Sequence, residues 1–295
     1  MSNEQLHGVF APITTPFSIN GDIRYDHLIH NIKRYATSGI SGFLVFGSNG
    51  ENKSLTYAEK KEILKLVVAH KAPNQILMVG SIYESTRETI DFALMAQEAG
   101  ANYITLLPPS YFKSAMKDDV LYRYFSDVAS SLTIPCLLYK APQFSGGLDL
   151  SIGLIKKCAR HPNIVGIKDS SGGGIEKIQY SVPEKFSVLT GSANTFFSAL
   201  LGGAVGGVLS IANYLPELTM DLYNCIIKND INRAKELNRQ VIALNIEVSG
   251  TYGVAGVKCA MDQTGYFGEY PRLPLEPISA EGLHTVKQAI DTVRK

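Results

Sequence analysis

Short apolar runs alternate with longer amphipathic segments along most of this chain. The apolar runs are Val9–Ile13, Gly42–Phe46, Ile76–Val79, Tyr103–Leu107, Ile134–Tyr139, Ile164–Lys168, Phe186–Leu189 and Val205–Leu209. Their β-branched, near-continuous apolar character predicts parallel strands buried on both faces. Between them, Tyr25–Ser38, Thr56–Lys71, Thr86–Glu98, Lys117–Ser130, Leu150–Ala159, Gly174–Tyr180 and Thr195–Leu201 carry helical spacing. Leu28, Ile32 and Tyr35 share one face of the first helix. Thr56 with Glu59 three residues later reads as a capping box, and Gly100 ends the third helix. This regular strand–helix alternation predicts an α/β fold, with a closed (β/α)8 barrel favoured over an open doubly wound sheet. After Ala212 the pattern turns helical, with segments at Pro216–Lys228, Ile231–Val248 and Glu281–Val293. The expected division is therefore a barrel over 1–212 and a helical extension over 213–295 packed on it.

Composition narrows the function more than the fold. With 28 basic and 27 acidic residues the formal charge is +1, which gives no electrostatic footprint for nucleic acid or a membrane surface. No apolar run reaches the length of about 20 residues that spans a bilayer. The opening M-S-N-E-Q-L-H-G has neither a basic start nor an apolar stretch, so a cytoplasmic location is expected. Cys136, Cys158, Cys225 and Cys259 are widely spaced and read as buried free thiols. His27 and His30 stand near Asp26 without a third ligand, so no metal is expected. Gly172-Gly173-Gly174 lacks the spacing of a phosphate loop or a dinucleotide fingerprint.

The candidate chemistry collects at strand ends, where barrel active sites lie. Lys168 closes an apolar strand and opens onto Asp169-Ser170-Ser171-Gly172. Desolvation at such a place disfavours the ammonium form, and a neutral amine can attack a ketone to form a Schiff base. Tyr139 ends the fifth strand and is placed to exchange protons at a carbonyl or a leaving hydroxyl. Phenols are protonated near neutrality, so a basic role needs a relay partner. Ser48 and Tyr111 are the candidates for it. Gly47-Ser48-Asn49-Gly50-Glu51, after the second strand, has the hydroxyl and adjacent amides of an anion-binding nest. Glu51 reads as structural. Gly191 and Ser192 follow the seventh strand, and Ser210 and Asn213 lie beyond the eighth.

With these residues the chain resembles the dihydrodipicolinate synthase/N-acetylneuraminate lyase family along nearly its whole length. The family loop G-[ST]-[TN]-G-E is here Gly47–Glu51, its Y-x-x-P is Tyr139–Pro142, and its G-x-K-[DE] is Gly166–Asp169. The resemblance implies a barrel with three added helices and a homotetramer built as a dimer of dimers. It further implies that Lys168 forms a Schiff base with a 2-oxoacid, without metal or organic cofactor. Tyr111 matches a tyrosine that in many relatives completes a proton relay from a neighbouring subunit. Ser48, Asn49 and Gly47 would hold the substrate carboxylate, while Phe144, Gly191, Ser192, Val208 and Leu209 would shape the pocket.

Three departures bear on mechanism and substrate. Asn49 stands where a threonine is frequent, which weakens a synthase-type relay. Phe144 stands where dihydrodipicolinate synthases usually carry an arginine for aspartate semialdehyde, and a phenyl ring cannot make that bidentate contact. Gly191-Ser192-Ala193-Asn194 also differs from the G-x-D-E of sialic acid lyases. A closer likeness, to the 4-hydroxy-2-oxoglutarate aldolases, rests on Gly47–Glu51, His161–Ser170, Gly191–Ala193 and Gly203–Val208. Lys140, Gln143 and Phe144 are the chain's own choices near the pocket. The expected reaction is cleavage or formation of a 2-oxoacid with pyruvate and an aldehyde as partners. A 2-keto-3-deoxy sugar-acid aldolase or dehydratase, a dihydrodipicolinate synthase, and a 2-oxoacid-binding protein without turnover are the alternatives.

Overall fold

The computed structural model describes residues 6–294. Residues 1–5, on which much of the expectation about a leader rests, lie outside them. The apolar runs form β1 (Gly8–Pro12), β2 (Gly42–Val45), β3 (Ile76–Ser81), β4 (Tyr103–Leu106), β5 (Cys136–Lys140), β6 (Ile164–Asp169), β7 (Ser187–Thr190) and β8 (Gly206–Val208). Hydrogen-bonded in sequence order, they close into a barrel. Almost every strand residue is buried, which is why the runs show no polar alternation.

Contacts group the chain into two compact units. The first comprises Ile76–Val208 with the short segment ahead of β1. It holds β3 to β8 together with α3 (Thr86–Glu98), α4 (Asp118–Ser130), α5 (Ile152–Cys158), α6 (Ile175–Ser181) and α7 (Phe196–Leu201). Ser85 and Ser151 cap α3 and α5 by accepting the amides of Glu88 and Leu154. The parallel register sets Tyr139 beside Lys168 and Lys140 beside Asp169.

The second unit comprises Gly8–Gln75 and Leu209–Lys295. It contains β1, β2, α1 (Tyr25–Tyr35) and α2 (Tyr57–His70), with α8 (Pro216–Ile227), α9 (Ile231–Asn245), α10 (Thr251–Thr264) and α11 (Ala280–Arg294). Thr56 caps α2 through the expected box: it accepts the Glu59 amide, and the Glu59 carboxylate accepts the Thr56 amide at 2.8 Å. Since α8 is the eighth barrel helix, α9, α10 and α11 are additions to it. Residue 212 falls inside a 3-10 turn, Ser210–Asn213.

Sequence periodicity does not reveal α10. The expected helix to Val248 ends as α9 and runs through a π-helical turn, Ile246–Gly250, directly into α10. Glycines in T-Y-G-V-A-G argue against helix, but their reason is geometric. Gly253 takes φ 58° and ψ −142°, outside helical space. A Cβ on Gly256 would sit 2.5 Å from the Val248 carbonyl oxygen. Gly256→Ala should therefore lower stability by roughly 1–3 kcal/mol, as overpacking does, measured by urea unfolding.

His27 and His30 serve this same unit. His27 Nδ1 pairs with Glu269 at 2.6 Å and its ring stacks on Phe267, while His30 lies 3.3 Å from the Gly265 carbonyl. Among the described residues, no group of three or more His, Cys, Asp or Glu side chains could hold a metal ion. All four cysteines are free, but only Cys136 and Cys158 are buried; Cys225 and Cys259 are half-exposed, against expectation. Burial pushes the Cys136 and Cys158 thiols up to about 12. No helix among the described residues is long and apolar enough to cross a membrane.

Candidate active site

Alternation along β5 and β6 divides four polar residues between two faces. Tyr139 and Lys168 are register neighbours, and the Lys168 Nζ lies 4.2 Å from the centre of the Tyr139 ring. Both side chains are buried, and Tyr139 packs with Ile82, Leu107 and Ala141. One step along each strand, Lys140 and Asp169 are also neighbours but project to the other face. Lys140 Nζ pairs with Asp149 at 2.8 Å and stands 3.9 Å from Asp169. Lys140 is therefore an ion-pairing residue rather than one of the pocket-shaping choices suggested by its place in Y-x-x-P. The amine at Lys168 has a π-face beside it and, among the described residues, no such carboxylate pair.

Gly191 makes room for that amine. A Cβ there would come within 2.9 Å of Lys168 Cε and would collide with Ser170 Oγ. The Gly191 amide donates to the Asp169 carbonyl at 2.6 Å, which pins the turn after β7 to the end of β6. Ser170 thus brings its hydroxyl to the side of the lysine, and that oxygen is buried without a hydrogen-bond partner among the described residues. Sequence reasoning passed over Ser170, although its place two residues beyond Lys168 was a usable signal. Ser192 is turned into its own loop, with its amide donating to Thr190 Oγ1 and its carbonyl accepting from Thr190 and Thr195. Val208 is buried at the end of β8.

Phe144 ends a 3-10 turn, Pro142–Phe144, and is 51 % exposed. Its neighbour Gln143 donates to the Ser170 carbonyl at 2.9 Å, tying that turn to the loop after Lys168. Tyr111 is 80 % exposed, its ring edge-on to Phe112. Glu84 fixes the backbone there by accepting the amides of Ser110 and Tyr111 at 2.8 and 2.9 Å.

In the other unit, the loop after β2 is a turn held under tension. Phe46 and Glu51, on either side of Gly47-Ser48-Asn49-Gly50, both adopt left-handed backbone, with φ 60° and 53°. Non-glycine residues keep such conformations only where their surroundings impose them. The Gly50 and Glu51 amides are consumed by the turn itself, donating to the Gly47 and Ser48 carbonyls. This narrows the expected nest: among the described residues of the turn, the amides of Gly47, Ser48 and Asn49 make no backbone hydrogen bond, and those of Ser48 and Asn49 lie next to each other at its tip. The Asn49 side chain donates to Ser210 Oγ at 2.9 Å, which fixes its orientation, and its backbone N–H can be offered to an anion. Leu209 is buried, its amide donating to Phe10, and Asn213 is a structural residue that donates to the Pro12 and Ser210 carbonyls.

Beneath that turn lies an ion pair that sequence reading did not find. Glu51 meets Lys258 of α10 at 2.6 Å, and the two side chains are 1 % and 0 % exposed. Lys258 also donates to the carbonyls of Thr15 and Tyr270, each at 2.7 Å. The second Glu51 oxygen accepts the Arg272 amide at 2.8 Å. Burial pushes the Lys258 ammonium down to about 8, with Glu51 pulling the other way. Arg272 in turn clamps Glu59 at 2.6 Å and the Gly21 and Ser54 carbonyls. Hydrogen bonding from Arg272, with help from Thr56, holds the Glu59 carboxyl down at about 2.

Known proteins resemble this chain along nearly its whole length. The family model described as "Dihydrodipicolinate synthetase family" matches residues 5–293. The 4-hydroxy-tetrahydrodipicolinate synthase of Nitrosospira multiformis is 30 % identical over 292 residues, covering 98 % of this chain and 96 % of its own. A probable mitochondrial 4-hydroxy-2-oxoglutarate aldolase of Emericella nidulans is 31 % identical over 298 residues, with the same coverage. Among solved structures, YagE of E. coli K12, a prophage protein of the dihydrodipicolinic acid synthase family solved with pyruvate, superposes with a TM-score of 0.91. It is 26 % identical, over 98 % of this chain and 99 % of that one.

Two outcomes follow from the buried network. Lys258→Met should cost about 3–5 kcal/mol in urea unfolding, because it strands a buried carboxylate. The depressed Glu59 carboxyl stabilises the fold above its usual value of 4.5, and that contribution is lost as pH falls toward 2. The stability gap between wild type and Glu59→Gln should accordingly narrow over that interval.

Proposed function

The chain belongs to the dihydrodipicolinate synthetase family, whose members are class I, Schiff-base carbon–carbon lyases, and on that premise we propose that it is a pyruvate-dependent aldolase. The observation that carries this is the buried Lys168 amine, 4.2 Å from the Tyr139 ring at neighbouring strand ends. The pyruvate bound to YagE supports the choice of 2-oxoacid. The three family motifs, Gly47–Glu51, Tyr139–Pro142 and Gly166–Asp169, support assigning Ser48, Asn49, Tyr139 and Lys168 to a single substrate.

Lys168 attacks the C2 ketone and, with loss of water, forms an iminium. Gly47, Ser48 and Asn49 receive the C1 carboxylate through a hydroxyl and two amides. Tyr139 takes the proton from the C4 hydroxyl. The C3–C4 electron pair moves into the iminium, releasing an aldehyde and leaving an enamine. Protonation at C3 and addition of water return pyruvate and the free amine. In the direction of synthesis the same enamine attacks an aldehyde. Ser48 and Tyr111 relay the Tyr139 proton, Tyr111 from a neighbouring copy in a homotetramer, in keeping with its exposure within the chain. Gly191, Ser192, Phe144, Val208 and Leu209 bound the remaining space.

Two readings of the aldehyde each have support. The exposed phenyl ring of Phe144, in place of an arginine, favours a small partner such as the one released from 4-hydroxy-2-oxoglutarate, and the Emericella relative bears that name. The names of the Nitrosospira and Neisseria gonorrhoeae relatives favour instead condensation with aspartate semialdehyde. That second reading has the broader backing among relatives, against the leaning of the pocket sequence.

Borohydride reduction in the presence of pyruvate should leave a reduced pyruvyl group on Lys168, read by peptide mass, and Lys168→Ala should show none. Tyr139→Phe should keep the adduct but lose about 100-fold or more in turnover, as for a lost general base. An adduct on another lysine would end the assignment. Pyruvate release from 4-hydroxy-2-oxoglutarate, set against pyruvate consumption with aspartate semialdehyde, separates the two readings.

A further inference from the structure

We propose that Glu51 and Lys258 are positioning residues for substrate binding, holding the Ser48–Asn49 turn in the one backbone arrangement that presents both amides to the carboxylate of a 2-oxoacid. This rests on the aldolase reading above and adds two residues to it.

The two left-handed residues that bracket the turn are each anchored by a different device. The Phe46 carbonyl accepts the Asn52 amide side chain at 2.8 Å. Glu51 is anchored by charge, with one oxygen on Lys258 and the other on the Arg272 amide. The Gly50 carbonyl is tied to Thr15 Oγ1 at 2.9 Å, and the next group along, the Thr15 carbonyl, is itself a Lys258 partner. Lys258 therefore joins both sides of the turn's footing. Its own position is set on the opposite side, where Gly268 packs so closely on the Lys258 backbone that a Cβ has no room, and Asp262 accepts the Gly268 amide at 2.7 Å.

A buried pair of this kind is not the most stable way to fill the space, since apolar residues of similar volume do as well or better. What it provides is direction. A carboxylate held by an ammonium on one oxygen and a backbone amide on the other can hold an αL backbone in one rotation, whereas an apolar side chain cannot. Relaxation of Glu51 would let the Ser48 and Asn49 amides turn from their common aim, and the loss would fall on the carboxylate alone. Lys168 and Tyr139 belong to strands outside this network, so their reactivity would persist.

The experiment compares two carbonyl probes in the full-length protein. Pyruvate carries the carboxylate, and acetone has the ketone without it. Each is titrated with borohydride trapping on Lys168 in wild type and Glu51→Gln. The half-saturating pyruvate concentration should rise about tenfold or more, the loss expected when a charge-assisted contact fails. Acetone trapping should stay within about twofold, because it makes no contact at the turn. Parallel loss with both probes, or no change with either, would overturn the positioning role. No pyruvate adduct even in wild type would remove the aldolase reading and this inference with it. If Glu51→Gln does not fold, Glu51→Asp, which keeps the charge but draws it back from Lys258, is judged by the same two titrations.

Discussion

Parallel pairing of β5 with β6 is the constraint on which the candidate chemistry depends. Two strands in that register bring Tyr139 and Lys168 together on one face and Lys140 with Asp169 on the other. A one-residue slip would exchange the faces and present the salt-bridged Lys140 in place of the ring-facing Lys168. The two lysines illustrate how register gives identical side chains different environments. Lys140 stands among carboxylates, whereas Lys168 stands over an aromatic ring with a glycine opposite.

The second unit achieves its part by a different kind of physics. The β2 loop carries no regular hydrogen-bond ladder to shape it, so its form is imposed from below by Lys258 and Arg272. These come from α10 and the segment after it, far along the chain. The added helices are thus more than packing material for a barrel: one of them supplies the cation against which the Gly47–Glu51 turn is set. Arg272 extends the same network to Glu59, so the capping box of α2 and the footing of the turn share one guanidinium-bearing residue.

Strained backbone and buried charge together suit a site that must be rigid before substrate arrives. An amide pair aimed in advance loses no conformational freedom on binding. The strain at Phe46 and Glu51, and the desolvation of Lys258, are costs borne by the folded state, met by the extensive apolar burial of the barrel strands.

How much of this was legible beforehand follows from the range of each interaction. Periodicity over a few residues was enough for the eight strands, the Thr56–Glu59 cap and the strand-end placement of Lys168 and Tyr139, because burial on both faces and local hydrogen bonding leave marks in adjacent positions. The family motifs were equally local. Other features were decided only in three dimensions. The helix α10 was hidden by glycines whose purpose is close approach to Val248 and a non-helical Gly253. Lys258 looks like any helical lysine until its partner, more than two hundred positions earlier in the chain, is placed against it. Lys140 was misjudged because a motif does not say which way a strand residue faces. The sequence by itself determined which chemical groups stand at the strand ends; the tertiary structure decided which of them meet, because ion pairs and steric contacts depend on distance in space rather than along the chain.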